Sequence, residues 1–122
     1  MRRAIALEGT DAVLELSRLT LVKIATKVIH LDQLDDGTWR LTYQHEVLPD
    51  AEKLIALVMK PGAVELQGLG TELKLAKAVP IPGKAPMMHF DETPNGTWRL
   101  IYSRDLIPDF AKLTALRVIR ED

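Results

Sequence analysis

Apolar residues in this chain fall in short runs, broken every few positions by glycine, proline or charge. Ala4 to Glu8 and Ala12 to Leu19 are two such runs, separated by Gly9-Thr10-Asp11. Leu14 and Leu16 flank Glu15, and later Leu73 and Leu75 flank Lys74. That is the period-two alternation of half-buried strands rather than a helical stripe. The turn residues between the runs predict a hairpin, and Gly68-Leu69-Gly70 punctuates the later stretch in the same way.

The recurrence is general. Residues 1–59 laid on 60–118 give 19 identities without a gap, including Gly9/Gly68, His30/His89, Asp32/Asp91, Tyr43/Tyr102 and Pro49/Pro108, and GTWRL occurs intact at 37–41 and 96–100. A match at constant offset over the whole chain is the mark of a tandem repeat. The chain is therefore read as one domain, 1–122, made of repeat 1 (1–59) and repeat 2 (60–118).

A second hairpin follows in each repeat, with LDDGT and TPNGT at its turn. Proline decides the turn type. A two-residue turn on Asn95-Gly96 would place Pro94 in the strand pair, where it has no N–H to give. A three-residue loop puts Pro94 first, Asn95 second and Gly96 in the left-handed position. This register sets Asp32 opposite Arg40, Asp91 opposite Arg99, Leu31 opposite Leu41 and Phe90 opposite Leu100. One face then carries Ile29, Leu31, Trp39, Leu41 and Tyr43, with Met88, Phe90, Trp98, Leu100 and Tyr102 as counterparts. The other carries His30, Asp32, Arg40 and Thr42. The stretches TLVKIATK and VPIPGKAP read as exposed connections, because Pro80, Pro82 and Pro86 oppose regular pairing.

LPDAEKLIALVM and IPDFAKLTALRV read as helices, with Pro49 and Pro108 at the first helical position, Asp50 and Asp109 beside it, and Lys60-Pro61-Gly62 as a stop. The expected fold class is α+β: a tandem ββββα unit forming one pseudo-twofold domain with two antiparallel sheets and two helices. A unit of sixty residues buries too little surface alone, so the repeats are expected to share a core.

Composition narrows the function. The 47% hydrophobic content suits a globular domain, and charged residues interrupt every candidate membrane span. Glu8 ends the first apolar run too early for a signal peptide, which points to an intracellular, cytoplasmic protein. With no cysteine there is no disulfide framework and no thiolate chemistry. Repeat 1 carries 7 basic and 9 acidic residues and residues 60–122 carry 9 and 8, so nucleic-acid binding would need a local patch.

The candidate chemistry is sparse. His30/Asp32 and His89/Asp91 each put two ligand types on one strand face, and a twofold could gather four. Arg40 and Arg99 already face the aspartates, so a polar surface pair is the better reading and no metal is expected. Ser17 and Ser103 are not repeated, no strained turn exposes either, and Gly83-Lys84 lacks the spacing of a phosphate loop. No catalytic residue, cofactor or enzymatic activity is expected. Trp39 and Trp98 beside Arg40 and Arg99 could form a stacking platform for unpaired bases, although their period-two spacing fits packing better.

In its expected order of elements, two ββββα repeats over the whole chain, the sequence resembles single-stranded nucleic-acid binders: the PUR-repeat proteins, the plant Whirly proteins and, as a dimer of single units, the transcriptional positive cofactor four. That resemblance implies a non-enzymatic binder of single-stranded nucleic acid, using Arg40, Arg99, Arg104 and, where exposed, Trp39 and Trp98. The rival expectation is a small protein-interaction module, such as an inhibitor, adaptor or phage accessory protein, with room for further homo-oligomerisation. Clustering of the three arginines on one concave sheet would favour the first, and their dispersal the second.

Overall fold

A computed structural model describes residues 2–10, 12–22, 27–82 and 86–121. Ten strands carry the chain: β1 (Arg2–Glu8), β2 (Ala12–Val22), β3 (Val28–Gln33), β4 (Trp39–Gln44), β5 (Ala56–Lys60), β6 (Ala63–Gln67), β7 (Thr71–Ile81), β8 (Met87–Glu92), β9 (Trp98–Ser103) and β10 (Ala115–Glu121). They close into one barrel in the order β1-β10-β5-β6-β7-β9-β8-β3-β4-β2.

The expected α+β architecture is overturned, because the two helices do not form. Ala51–Lys53 and Phe110–Lys112 are single 3₁₀ turns, and the residues beyond them are β5 and β10. Proline and aspartate still mark where the chain bends, but the apolar run that follows is too short to hold an isolated helix. Pairing wins because it supplies ladder partners to strands that would otherwise end the sheet. Lys60-Pro61-Gly62 is a hairpin turn rather than a helix stop: Lys60 pairs with Ala63, and Gly62 takes φ 80°. Without ββββα units, the element order behind the resemblance to the single-strand binders is gone.

The expected connection at TLVKIATK is also corrected where it is described, since β2 runs on to Val22. Its counterpart β7 runs through Pro80, which lies opposite Tyr102. These two long strands are the corners of the barrel. The first half of β2 pairs antiparallel with β1, and after a register shift between Leu16 and Arg18 the second half pairs parallel with β4. The same shift between Leu75 and Lys77 moves β7 from β6 to β9. Among the described residues β7 past the shift keeps a regular ladder only with β9, and a strand laddered on one side can carry a proline. Residues 23–26 and 83–85, which include Gly83 and Lys84, lie outside the described residues.

The second hairpins match their expected register. Leu34 N–H donates to Thr38 O and Thr93 N–H to Thr97 O, which leaves three-residue loops with Gly37 at φ 89° and Gly96 at φ 88°. Asp32 faces Arg40, Asp91 faces Arg99, Leu31 faces Leu41 and Phe90 faces Leu100. The inward faces of these strands form the core with Leu7, Leu57, Leu66 and Leu116.

The halves interlock rather than sit side by side. β5, from the first half, pairs with β6 of the second, and β10 returns to pair with β1. Two antiparallel pairs cross between equivalent strands, with His30 opposite His89 and Leu57 opposite Leu116. In each pair the residues differ by 59, the repeat offset, so a local twofold passes through both points.

Gly9 and Gly68 show how tight the interlock is. At φ 98° and 99°, an added Cβ would lie 1.7 Å from Lys112 O and 2.0 Å from Lys53 O respectively. Each first hairpin thus rests on the 3₁₀ turn of the other half. Gly9→Ala or Gly68→Ala is expected to cost ~2–4 kcal/mol in urea unfolding, from left-handed strain plus the backbone collision. Gly37→Ala, with open space around its Cβ position, is expected to lose only about 1–2 kcal/mol.

Candidate functional site

The polar face of the central hairpins is organised about the local twofold. Antiparallel pairing of β3 with β8 places His30 and His89 side by side, with Nδ1 atoms 2.8 Å apart and rings edge to face at 70°. A hydrogen bond between two Nδ1 atoms needs one N–H donor and one lone pair, so when both rings are neutral one carries its proton on Nδ1 and the other on Nε2. Arg40 grips Asp32 through Nε (3.3 Å) and Nη2 (2.7 Å), and Arg99 grips Asp91 with the same two distances. Both guanidinium groups are spent on carboxylates. Among the described residues, no group of three or more His, Asp or Glu side chains is arranged to hold a metal.

The residues expected to contact nucleic acid do not come together as a platform. Trp39 and Trp98 are each only 5% exposed and belong to the core. Arg40 and Arg99 lie on the outer surface of the barrel, and Arg104 is exposed in the turn after β9. Ser103 is 0% exposed, and its Oγ has no hydrogen-bond partner among the described residues. Enclosed in this way it is no nucleophile for an outside substrate. Ser17 is exposed and donates to Trp39 O at 3.3 Å, bracing the register shift of β2.

A second feature was missed in the sequence and emerges from comparing equivalent positions on the outer surface. In the second half, Lys60, Glu65 and Glu72 form a charged trio, with Lys60 Nζ 2.6 Å from Glu65 and 3.9 Å from Glu72. The residues 59 positions away are Ile119, Ala6 and Val13. Val13 pairs with Ala6, and Ile119 pairs with Ala4, which lies next but one to Ala6 on β1. The same backbone framework carries an ion cluster on one side and an apolar patch on the other. Val13 is 64% exposed, more than the other exposed large apolar residues Ile55 and Leu21. Ala6 and Ile119 are half-buried; Arg117, whose Nε pairs with Glu8 at 2.7 Å, lies directly opposite Ala6, and Glu15 lies opposite Ala4. The signal was available: charge in one repeat opposite hydrocarbon in the other, on residues that alternate with core positions.

Among the described residues, no helix is long and apolar enough to cross a membrane. Compared with known proteins, the chain matches no family model, no curated protein and no solved structure.

Burial lowers both histidine pKa values below 6.5. For His30 the Asp32 carboxylate pulls back upward and Arg40 pushes further down; for His89 the neighbouring His30 adds to the lowering, Asp91 opposes it and Arg99 supports it. The unfolded chain therefore takes up these protons before the folded one does. The stability contributed by the neutral pair is complete above pH 6.5, is lost as pH falls from there to the depressed folded values, and does not change below them. Urea midpoints should thus decline on acidification below about 6.5 in the native chain. His30→Gln/His89→Gln should lack that part of the decline, and parallel curves for the two proteins would refute the assignment.

Proposed function

We propose that the protein is a non-enzymatic interaction module that docks a protein partner on the outer face of β1, β2 and β10. The observation that carries this reading is the replacement of a charged trio by Ala6, Val13 and Ile119 at equivalent positions of one framework. A barrel surface can be covered with ion pairs here, since the other half does so. An exposed valine with half-buried apolar neighbours, bordered by charge, suits the apolar centre and polar margin of an interface. The expected partner surface presents apolar side chains to Val13 and Ile119 and polar groups to Glu15 and the Arg117–Glu8 pair. Burial of both tryptophans in the core, and the engagement of Arg40 and Arg99 by Asp32 and Asp91, support this reading over nucleic acid.

Single-stranded nucleic acid stays as the second reading on one observation. The ladder places Arg18 beside Arg40 and Lys77 beside Arg99, giving two cation pairs on the outer surface.

The triple variant Ala6→Glu, Val13→Glu, Ile119→Lys rebuilds the second half's charged trio on the first. Its stability is expected to stay within about 0.5 kcal/mol of the native chain, as for surface substitutions generally. In pull-downs the native chain should retain a partner that the triple variant loses, and retention should be nearly insensitive to salt. Equal retention by both would sink the docking face. A complex with a thirty-nucleotide single strand that weakens steeply with salt, and is lost in Arg18→Ala/Lys77→Ala, would favour the second reading instead.

A further inference from the structure

The two halves also differ at the mouth of the barrel. In the second half, the ring of Phe110, in the 3₁₀ turn, stacks on Tyr102 with centroids 4.6 Å apart and planes within 15°. Tyr102 is buried beneath it. The equivalents in the first half are Ala51 and Tyr43. The backbone is the same: the residue before the turn has φ −129°, ψ 73° at Asp50 and −126°, 80° at Asp109, and the residue after it −66°, 126° at Leu54 and −70°, 122° at Leu113. What differs is that Ala51 lacks a ring. Leu19 stands in place of Ala78 and lines the opening beside Tyr43.

A groove of about 330 Å³ remains there, lined by Arg3, Leu19, Tyr43, Pro49, Ala51 and Glu52 among others. That volume lies at the small end of ligand pockets, and barrel mouths are a common place for them. Tyr43 is only partly buried, so part of it stays accessible where Tyr102 is covered.

We propose that this groove binds a single aromatic ring, stacked on Tyr43 in the position that Phe110 occupies on Tyr102. The chain carries its own template for the bound state. Offset stacking on the tyrosine face supplies orientation, and Leu19 and Pro49 supply apolar walls. Arg3 and Glu52 at the rim offer a cation and a carboxylate to polar groups borne by the ring. The proposal does not depend on the docking face. It predicts one ring per chain, because the equivalent place in the second half is filled from within.

The test follows the tyrosine ring resonances by NMR during titration with two probes, p-cresol and a blocked peptide of the sequence IPDFAK. The chain has two tyrosines, so Tyr102→Phe assigns them. Saturable upfield shifts of the Tyr43 ring, with Tyr102 unmoved, are expected for at least one probe. Response to p-cresol marks a free small molecule as a sufficient source of the ring, and response to the peptide alone marks a polypeptide. Leu19→Ala/Ala51→Phe copies the second half's pair of side chains and should weaken binding at least about tenfold. Phe110→Ala should open Tyr102 to the same probe. If neither probe moves Tyr43, or if the double variant folds by circular dichroism and binds as before, the proposal is overturned. The native titration alone decides if a variant does not fold.

Discussion

Everything in this barrel depends on how β1 and β6 obtain their second hydrogen-bonding partners. Each opens its half and pairs with the next strand through a tight hairpin, so one edge of each needs another strand. That strand comes from the end of the opposite half for β1 and from the end of the preceding half for β6. Because β5 and β10 also pair with each other, the two closures are one event. A chain folded half by half would leave those edges bare, and bare edges are both unsatisfied and open to unwanted pairing. The shared core and the glycine seats at Gly9 and Gly68 follow from that exchange.

Much of the local structure could be read from the residues because the deciding forces were local. Pro94 fixed the loop type, the loop fixed the register, and the register fixed which side chains face inward and which aspartates meet which arginines. The helices failed for the opposite reason. Pro49-Asp50 and Pro108-Asp109 are good helix openers, and Leu54, Leu57, Leu113 and Leu116 suit an amphipathic stripe. Yet β-structure at 56–60 and 115–121 is selected by strands far away in sequence, which no local propensity reports. Pro80 misled in the same way, as its tolerance depends on which side of β7 bears the ladder.

The candidate sites divide along the same line. That Trp39 and Trp98 pack inside was legible from their period-two spacing. That Arg40 and Arg99 are occupied by carboxylates followed from the hairpin register. The abutment of His30 and His89 was not legible, because it needs the pairing of β3 with β8 across the twofold. The apolar trio of Ala6, Val13 and Ile119 joins residues from both ends of the chain, and becomes a cluster only once β10 lies against β1.

One consequence concerns symmetry itself. A homodimer built from a single sixty-residue unit would display every surface feature twice, and any greasy face would invite its twin to polymerise. Joining the halves in one polypeptide lets Ile119 and Lys60, or Ala51 and Phe110, diverge while the shared interior stays paired. The fused barrel therefore displays Lys60, Glu65 and Glu72 once and Ala6, Val13 and Ile119 once, where a homodimer would carry two of each.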